Sequence, residues 1–145
     1  MLIVLEGCDG VGKSTIANNL AKILNARIVH CTTTTPNDYK FFKEIIDASR
    51  TQNIIADRFC YGQFVYQKPC ERNLYWEQLT QLELDMLDAG AKVIHVTADV
   101  EEVKKRLSIR GETTSMPVEE IMDRFTDLFE SSLERPFVWW TGGND

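Results

Sequence analysis

Residues Gly7-Cys8-Asp9-Gly10-Val11-Gly12-Lys13-Ser14-Thr15 constrain this chain more than any other stretch. They fit G-x-x-x-x-G-K-[ST], with both glycines, the lysine and the serine in place. Before them, Leu2-Ile3-Val4-Leu5 reads as a buried parallel strand. After them, Ile16, Leu20, Ile23 and Leu24 recur at helical spacing. Between a strand and a helix, Gly7, Gly10 and Gly12 can take backbone angles closed to other residues, so successive N–H groups turn inward. Those donors and the positive helix end hold phosphate oxygens. Lys13 adds a point charge over the outer phosphates, and a serine at position 14 is the usual magnesium ligand of such loops. The alternative is a glycine-rich turn at a strand end, which would need neither the lysine nor these flanks.

The rest of the chain alternates strand and helix patterns. A second strand is expected over Ala26–Cys31, then a polar loop over Thr32–Asp38 containing Pro36. Asp38 should cap a helix carrying Phe41, Phe42, Ile45 and Ile46 to about Arg50. Asn53–Asp57 reads as a third strand, and Phe59–Tyr66 as a short helix cut off before Pro69. A long helix should run from about Asn73 to Ala89, with Trp76, Leu79, Leu82, Met86 and Leu87 as a core-facing stripe stopped by Gly90. Lys92–Thr97 is a fourth strand. Asp99 should cap a helix through Val103, Arg106, Leu107 and Arg110. Gly111–Pro117 is a polar loop, and Val118–Leu133 a helix with Ile121, Phe125, Leu128 and Phe129 inward. Phe137–Thr141 is a candidate fifth strand, with fraying expected from Gly142 to Asp145. This alternation predicts an α/β fold: a five-stranded parallel sheet with helices on both faces, as one domain over 1–145. Ligands of such sheets bind at the carboxyl ends of the strands, so the loops after Glu6, Cys31, Asp57 and Thr97 should converge.

Composition narrows the chemistry. With 145 residues, the chain is long enough for one real core. The 16 basic against 22 acidic side chains leave a net charge of −6, which argues against broad binding to nucleic acid. No apolar run is long enough to span a membrane, and Met1 leads straight into a strand, so a cytoplasmic location is expected. None of the four cysteines lies in a C-x-x-C pair. Free thiols used for packing are expected, not a zinc or redox motif. His30 and His95 fall in strands and read as core or strand-end residues.

The second informative stretch is Asn53-Ile54-Ile55-Ala56-Asp57-Arg58. An acid ending an apolar strand beside a phosphate loop can hold magnesium directly or through water. The adjacent Arg58 can meet a phosphate with a forked pair of donors. Alone, the pair could be a surface ion pair. Together with the first motif it resembles the thymidylate kinase family of P-loop nucleoside monophosphate kinases. That family carries E-G-x-D-G-x-G-K-[ST], matched by Glu6 to Ser14. It also carries D-R-[YFH]-x-x-S-x-x-A-Y-Q, matched by Asp57 to Gln67, with Gly62 and Val65 in place of the serine and alanine. A third match is a strand, an acid and an arginine-bearing helix: Val93–Thr97, Asp99, then Lys105 to Glu112.

The resemblance implies a P-loop NTPase fold, ATP and Mg2+ as cofactors, and transfer of the γ-phosphoryl group to a deoxynucleoside monophosphate such as dTMP. The loop residues Gly7, Cys8, Asp9, Gly10, Val11, Gly12, Lys13, Ser14 and Thr15 would bind the donor. Ser14 and Asp57 would serve the metal. Arg58 would bind the acceptor's phosphate, Asp9 would reach the sugar 3′-hydroxyl, and Tyr66 would face the 2′ position. Phe59, Gly62, Phe42 and Arg50 would complete the acceptor site. Lys13, Asp57, Arg58 and the lid arginines Arg106 and Arg110 would form the catalytic set, within a lid loop over about 106–117. The chain is shorter than family members, mainly between the second and third strands where they build the base pocket. The base therefore stays open, as do a deoxynucleoside acceptor, a hydroxyl of a modified base or end in DNA, and a purely regulatory nucleotide-binding role. A homodimer is compatible with the resemblance.

Overall fold

The computed structural model describes residues 1–32 and 34–143. Five strands, β1 (Leu2–Glu6), β2 (Arg27–His30), β3 (Ile54–Asp57), β4 (Lys92–Thr97) and β5 (Phe137–Trp140), form one sheet in the order β2-β3-β1-β4-β5. Every pairing is parallel. Among the described residues, six α-helices connect and flank them: α1 (Lys13–Leu24), α2 (Tyr39–Ala48), α3 (Cys60–Tyr66), α4 (Trp76–Asp88), α5 (Val100–Arg110) and α6 (Val118–Glu130). The expected fold class is the observed one.

Burial follows strand order. All five residues of β1 and all four of β3 are buried, although successive side chains point to opposite faces. Both faces of the sheet centre are therefore covered, as continuous apolar runs such as Leu2–Leu5 require. The outer strands are more open, and every residue of β5 is exposed. Among the described residues, no helix is long and apolar enough to cross a membrane.

Local signals set most boundaries. Asp38 caps α2, its carboxylate accepting the Phe41 N–H at 2.9 Å. Asn25 ends α1 in the left-handed conformation (φ 50°), and Gly111 does the same for α5 (φ 66°).

Several expectations needed correction. The α4 helix begins at Trp76, not Asn73, where Gln78 Oε1 accepts the Tyr75 N–H at 2.9 Å. Its buried face is Leu79, Leu82, Glu83 and Met86, while Trp76 and Leu87 are exposed. Trp76 packs edge-on against Phe64 instead. Ile23 of α1 is likewise exposed. Asp99 precedes α5 without a side-chain cap; its own N–H donates to Gly142 O. The α6 helix stops at Glu130, short of Leu133. Of the expected threonine loop and frayed end, Thr33, Asn144 and Asp145 lie outside the described residues.

Candidate active site

The carboxyl ends of β1, β3 and β2 meet over one cavity of about 480 Å3. Asp9, Lys13, Ser14, Asp57, Arg58 and Arg110 are among its lining residues. The loop from β1 into α1 passes so close to β4 that a Cβ at Gly7 would stand 2.2 Å from the Val96 carbonyl oxygen, and its φ of 155° already disfavours a side chain. The loop's apolar positions turn inward: Cys8 and Val11 are buried, and burial pushes the Cys8 thiol up to about 11, out of reach of nucleophilic chemistry at neutral pH. Asp9, Gly10, Gly12, Lys13, Ser14 and Thr15 line the cavity.

Lys13 opens α1 with its ammonium folded back onto the loop, donating to Gly7 O at 2.8 Å and Cys8 O at 3.0 Å. It is nearly buried, and desolvation lowers its pKa while neighbouring Asp9 opposes the shift. A phosphate in the cavity offers that ammonium a better partner than two neutral carbonyls. The Ser14 hydroxyl donates to Asp57 Oδ2 at 2.9 Å. The residues present fit magnesium: a hydroxyl and a carboxylate side by side on an open cavity form the sparse oxygen set that Mg2+ takes when substrate phosphates complete its shell.

Arg58 follows β3 with φ at 70°, a left-handed backbone uncommon for a non-glycine residue and concentrated at functional sites. Its amide donates to Leu5 O at 2.9 Å, its guanidinium lies 4.6 Å above the centre of the Tyr66 ring, and Nη2 stands 2.6 Å from Asp9 Oδ1. Beyond Arg58 opens a second cavity of about 250 Å3, lined among others by Phe59, Gly62, Gln63 and Tyr66. Cys31, Thr32 and Arg58 line both cavities. The Tyr66 hydroxyl is buried with no hydrogen-bond partner among the described residues.

Two groups build the second cavity's walls. Asn37 accepts from Thr35 Oγ1 at 2.5 Å and donates to Thr32 O at 2.6 Å, fixing the loop after β2. Gln67 donates to Leu74 O at 2.7 Å and accepts the Asn73 and Leu74 amides, pinning the end of α3 to the segment before α4. Its amide is thereby spent on structure.

The structure separates the two expected lid arginines. Arg106 is tied to Glu102, Gly10 O, Thr141 Oγ1 and Thr141 O at 2.9–3.3 Å, and among the described residues it lines neither cavity. Arg110, one turn on, lines the larger cavity beside Glu112, its Nη1 3.7 Å from Oε1. If the site transfers a phosphoryl group from ATP, as the sequence resemblance implies, Arg110→Ala is expected to lower kcat on the order of a thousandfold with little change in ATP affinity. Arg106→Ala should act mainly through the loop, raising the ATP KM. Steady-state kinetics of both variants check this; normal kcat in Arg110→Ala removes it from the chemistry.

Arg50 and Phe42 are not brought to the site. Arg50 pairs with Asp85 at 3.0 Å and Asp88 at 3.1 Å on α4. Phe42 is wholly buried, edge-on to Phe59. Phe42 packs α2 into the core and Arg50 ties its end to α4, and neither lines either of the two cavities. Two site residues escaped the sequence reading. His30, at the end of β2, lines the larger cavity with Nδ1 3.2 Å from Asp57 Oδ2. Glu6 is wholly buried behind Arg58. Both end strands at the sheet's carboxyl edge, which was the available signal.

No protein-family model matches the chain. It is 29% identical, over 97% of its length and 89% of the relative's, to the SPbeta prophage-derived uncharacterized protein YorR of Bacillus subtilis. The crystal structure of YorR in complex with phosphorylated GDP superposes with a TM-score of 0.84 at 28% identity, covering 97% of this chain and 86% of YorR. Deoxyadenosine kinase from M. mycoides with bound dATP aligns over 98% of this chain and 91% of its own (TM-score 0.60, 18% identity). Thymidylate kinase from Candida albicans aligns over 99% and 84% (TM-score 0.53, 17% identity). The chain has the fold of the P-loop nucleotide and nucleoside kinases.

Proposed function

We propose that this protein transfers the γ-phosphoryl group of ATP to a deoxynucleoside monophosphate. The observation that carries the reading is Arg58: a fixed cation at the junction of a phosphate-loop cavity and a second cavity of nucleoside size. A monophosphate seated with its sugar against Tyr66 would lay its phosphate on that guanidinium, in line with a donor held by the loop amides and Lys13.

The reaction then needs positioning and charge neutralisation more than covalent chemistry. An oxygen of the acceptor phosphate forms the new bond to the γ-phosphorus, and the bond from that phosphorus to the β–γ bridging oxygen breaks. A dianionic acceptor has no proton to lose, so no general base is required. Lys13 holds the donor's outer phosphates, Arg58 orients the acceptor, and Arg110 offsets charge on the group in transit. Ser14 and Asp57 would hold magnesium, which supplies charge neutralisation at the donor phosphates. YorR's phosphorylated GDP supports nucleotide binding on this fold and places guanine among the bases to test.

A hydroxyl acceptor is the competing reading, and one contact favours it: His30 against Asp57, facing the cavity, could take a proton. The deciding experiment compares kcat/KM for dTMP and dGMP, their nucleosides, and single-stranded oligonucleotides of the same bases. A monophosphate is expected to win by roughly a hundredfold or more, the usual cost of removing a ligand's partner from a buried charge. A win for the nucleoside or the oligonucleotide replaces the acceptor assignment.

A further inference from the structure

Glu6 is the last residue of β1, and its side chain is 0% exposed. Oε2 accepts the Gly62 N–H at 2.6 Å, while Oε1 has no hydrogen-bond partner among the described residues. A buried carboxyl with an unmet oxygen costs stability, and its surroundings indicate what it does. A Cβ added at Gly62 would stand 2.8 Å from Glu6 Oε1 and 2.7 Å from Arg58 Cγ. The carboxyl, the Gly62 backbone and the Arg58 stem are thus packed with no room for one methyl group. Arg58 is anchored to the same strand by the hydrogen bond its backbone N–H donates to Leu5 O. Glu6 shares the space around Gly62 with the Arg58 stem, and the Arg58 side chain lines both cavities.

We propose that Glu6 is a positioning residue for the acceptor's phosphate: its buried carboxyl fixes where the Arg58 guanidinium stands and, through its own charge, how strongly that guanidinium holds an anion. This rests on the assignment of Arg58 to the acceptor. The charged groups in the field of Glu6 are Lys13 on α1 and Arg58 after β3. The thiols of Cys31 after β2 and Cys60 on α3 also feel it, and His95 is its register neighbour on β4. Burial pushes the Glu6 carboxyl up to about 7, against the lowering pull of the Gly62 and Phe59 amides and the Arg58 and Lys13 cations. Below that pH the group is neutral and leaves the Arg58 charge to the ligand. Above it, the carboxylate offsets part of that charge. At an effective dielectric typical of such sites, one unit charge several ångströms away alters anion affinity by about tenfold or more, and one pH unit above the midpoint the cost of reprotonating the carboxyl caps the effect at roughly tenfold.

Glu6→Gln keeps a carbonyl oxygen for the Gly62 amide and cannot ionise. The acceptor KM is measured for the preferred deoxynucleoside monophosphate at pH 6 and pH 8, with saturating ATP, in both proteins. The wild-type-to-variant ratio cancels the acceptor's own phosphate titration. It is expected near unity at pH 6 and on the order of tenfold at pH 8, with wild type the weaker binder; the ATP KM ratio should change less, because Glu6 acts on Lys13 more weakly than on Arg58. A ratio equal at both pH values overturns the proposal while leaving the function standing. A wild type that phosphorylates no monophosphate overturns the function and this proposal with it. Carboxyl 13C NMR of wild type reads Glu6 without the variant, and a midpoint below about 5, the range of an ordinary carboxyl, also overturns it.

Discussion

Lys13→Met is expected to lower phosphoryl transfer by roughly 10²–10³-fold or more, the cost of removing a preorganised donor from developing charge, while the melting temperature stays close to wild type. The methionine keeps the apolar stem of a nearly buried side chain. It gives up two bonds to the Gly7 and Cys8 carbonyls, but it also relieves the burial of an ammonium whose pKa desolvation already lowers. These stability terms oppose each other. The catalytic terms do not, because nothing else on the loop is basic: Cys8, Asp9, Gly10 and Val11 supply only backbone donors and one acid. Single-turnover transfer from ATP, read beside a thermal melt, measures both. Transfer within tenfold of wild type at an unchanged melting temperature removes Lys13 from the donor site.

Arg58→Ala is expected to lower kcat/KM for the acceptor by roughly a hundredfold or more while ATP affinity holds. Alanine in the left-handed region is as strained as arginine, so the comparison isolates the side chain. What goes is the cation above Tyr66 and the partner of Asp9. Arg58→Lys should recover little. An ammonium restores the charge, but it lacks the planar fork that meets two phosphate oxygens and stacks on a ring. Equal rescue by lysine would mean that only charge matters at this position. An unchanged acceptor KM in the alanine variant would move the acceptor's phosphate elsewhere.

What the sequence disclosed, and what it withheld, follows from the range of each interaction. That the glycine loop and the Asp57-Arg58 pair would meet on one cavity is legible because strand, loop and helix signals sit within a few residues of the groups they position. The parallel sheet is legible because β1 and β3 are short apolar runs buried on both sides. Arg50 misled because its partners on α4 lie 35 residues and more along the chain, and nothing local announces that α2 packs there. Phe42 misled for the same reason: an aromatic in an amphipathic helix stacks on a base or on Phe59 according to tertiary placement alone. His30 gained its contact with Asp57 from register, since β2 pairs with β3 so that these two residues stand opposite. Glu6 is in the motif, but the space it shares with the Arg58 stem needs α3 folded back over the strand end.

The strand order has a consequence for how such a protein can change. Lys13, Ser14, Asp57 and Arg58 hang from β1 and β3 and the elements that directly continue them, where every strand residue is buried and few substitutions are tolerated. The loop after β2, which walls the second cavity, and Thr141 after β5, which fastens Arg106, hang from the outer strands. Substitutions on those margins reach the cavity walls without disturbing the buried residues of β1 and β3. With the proposed function, a lineage could therefore trade one acceptor or donor for another by rewriting the two rims, while the residues carried by β1 and β3 are inherited intact.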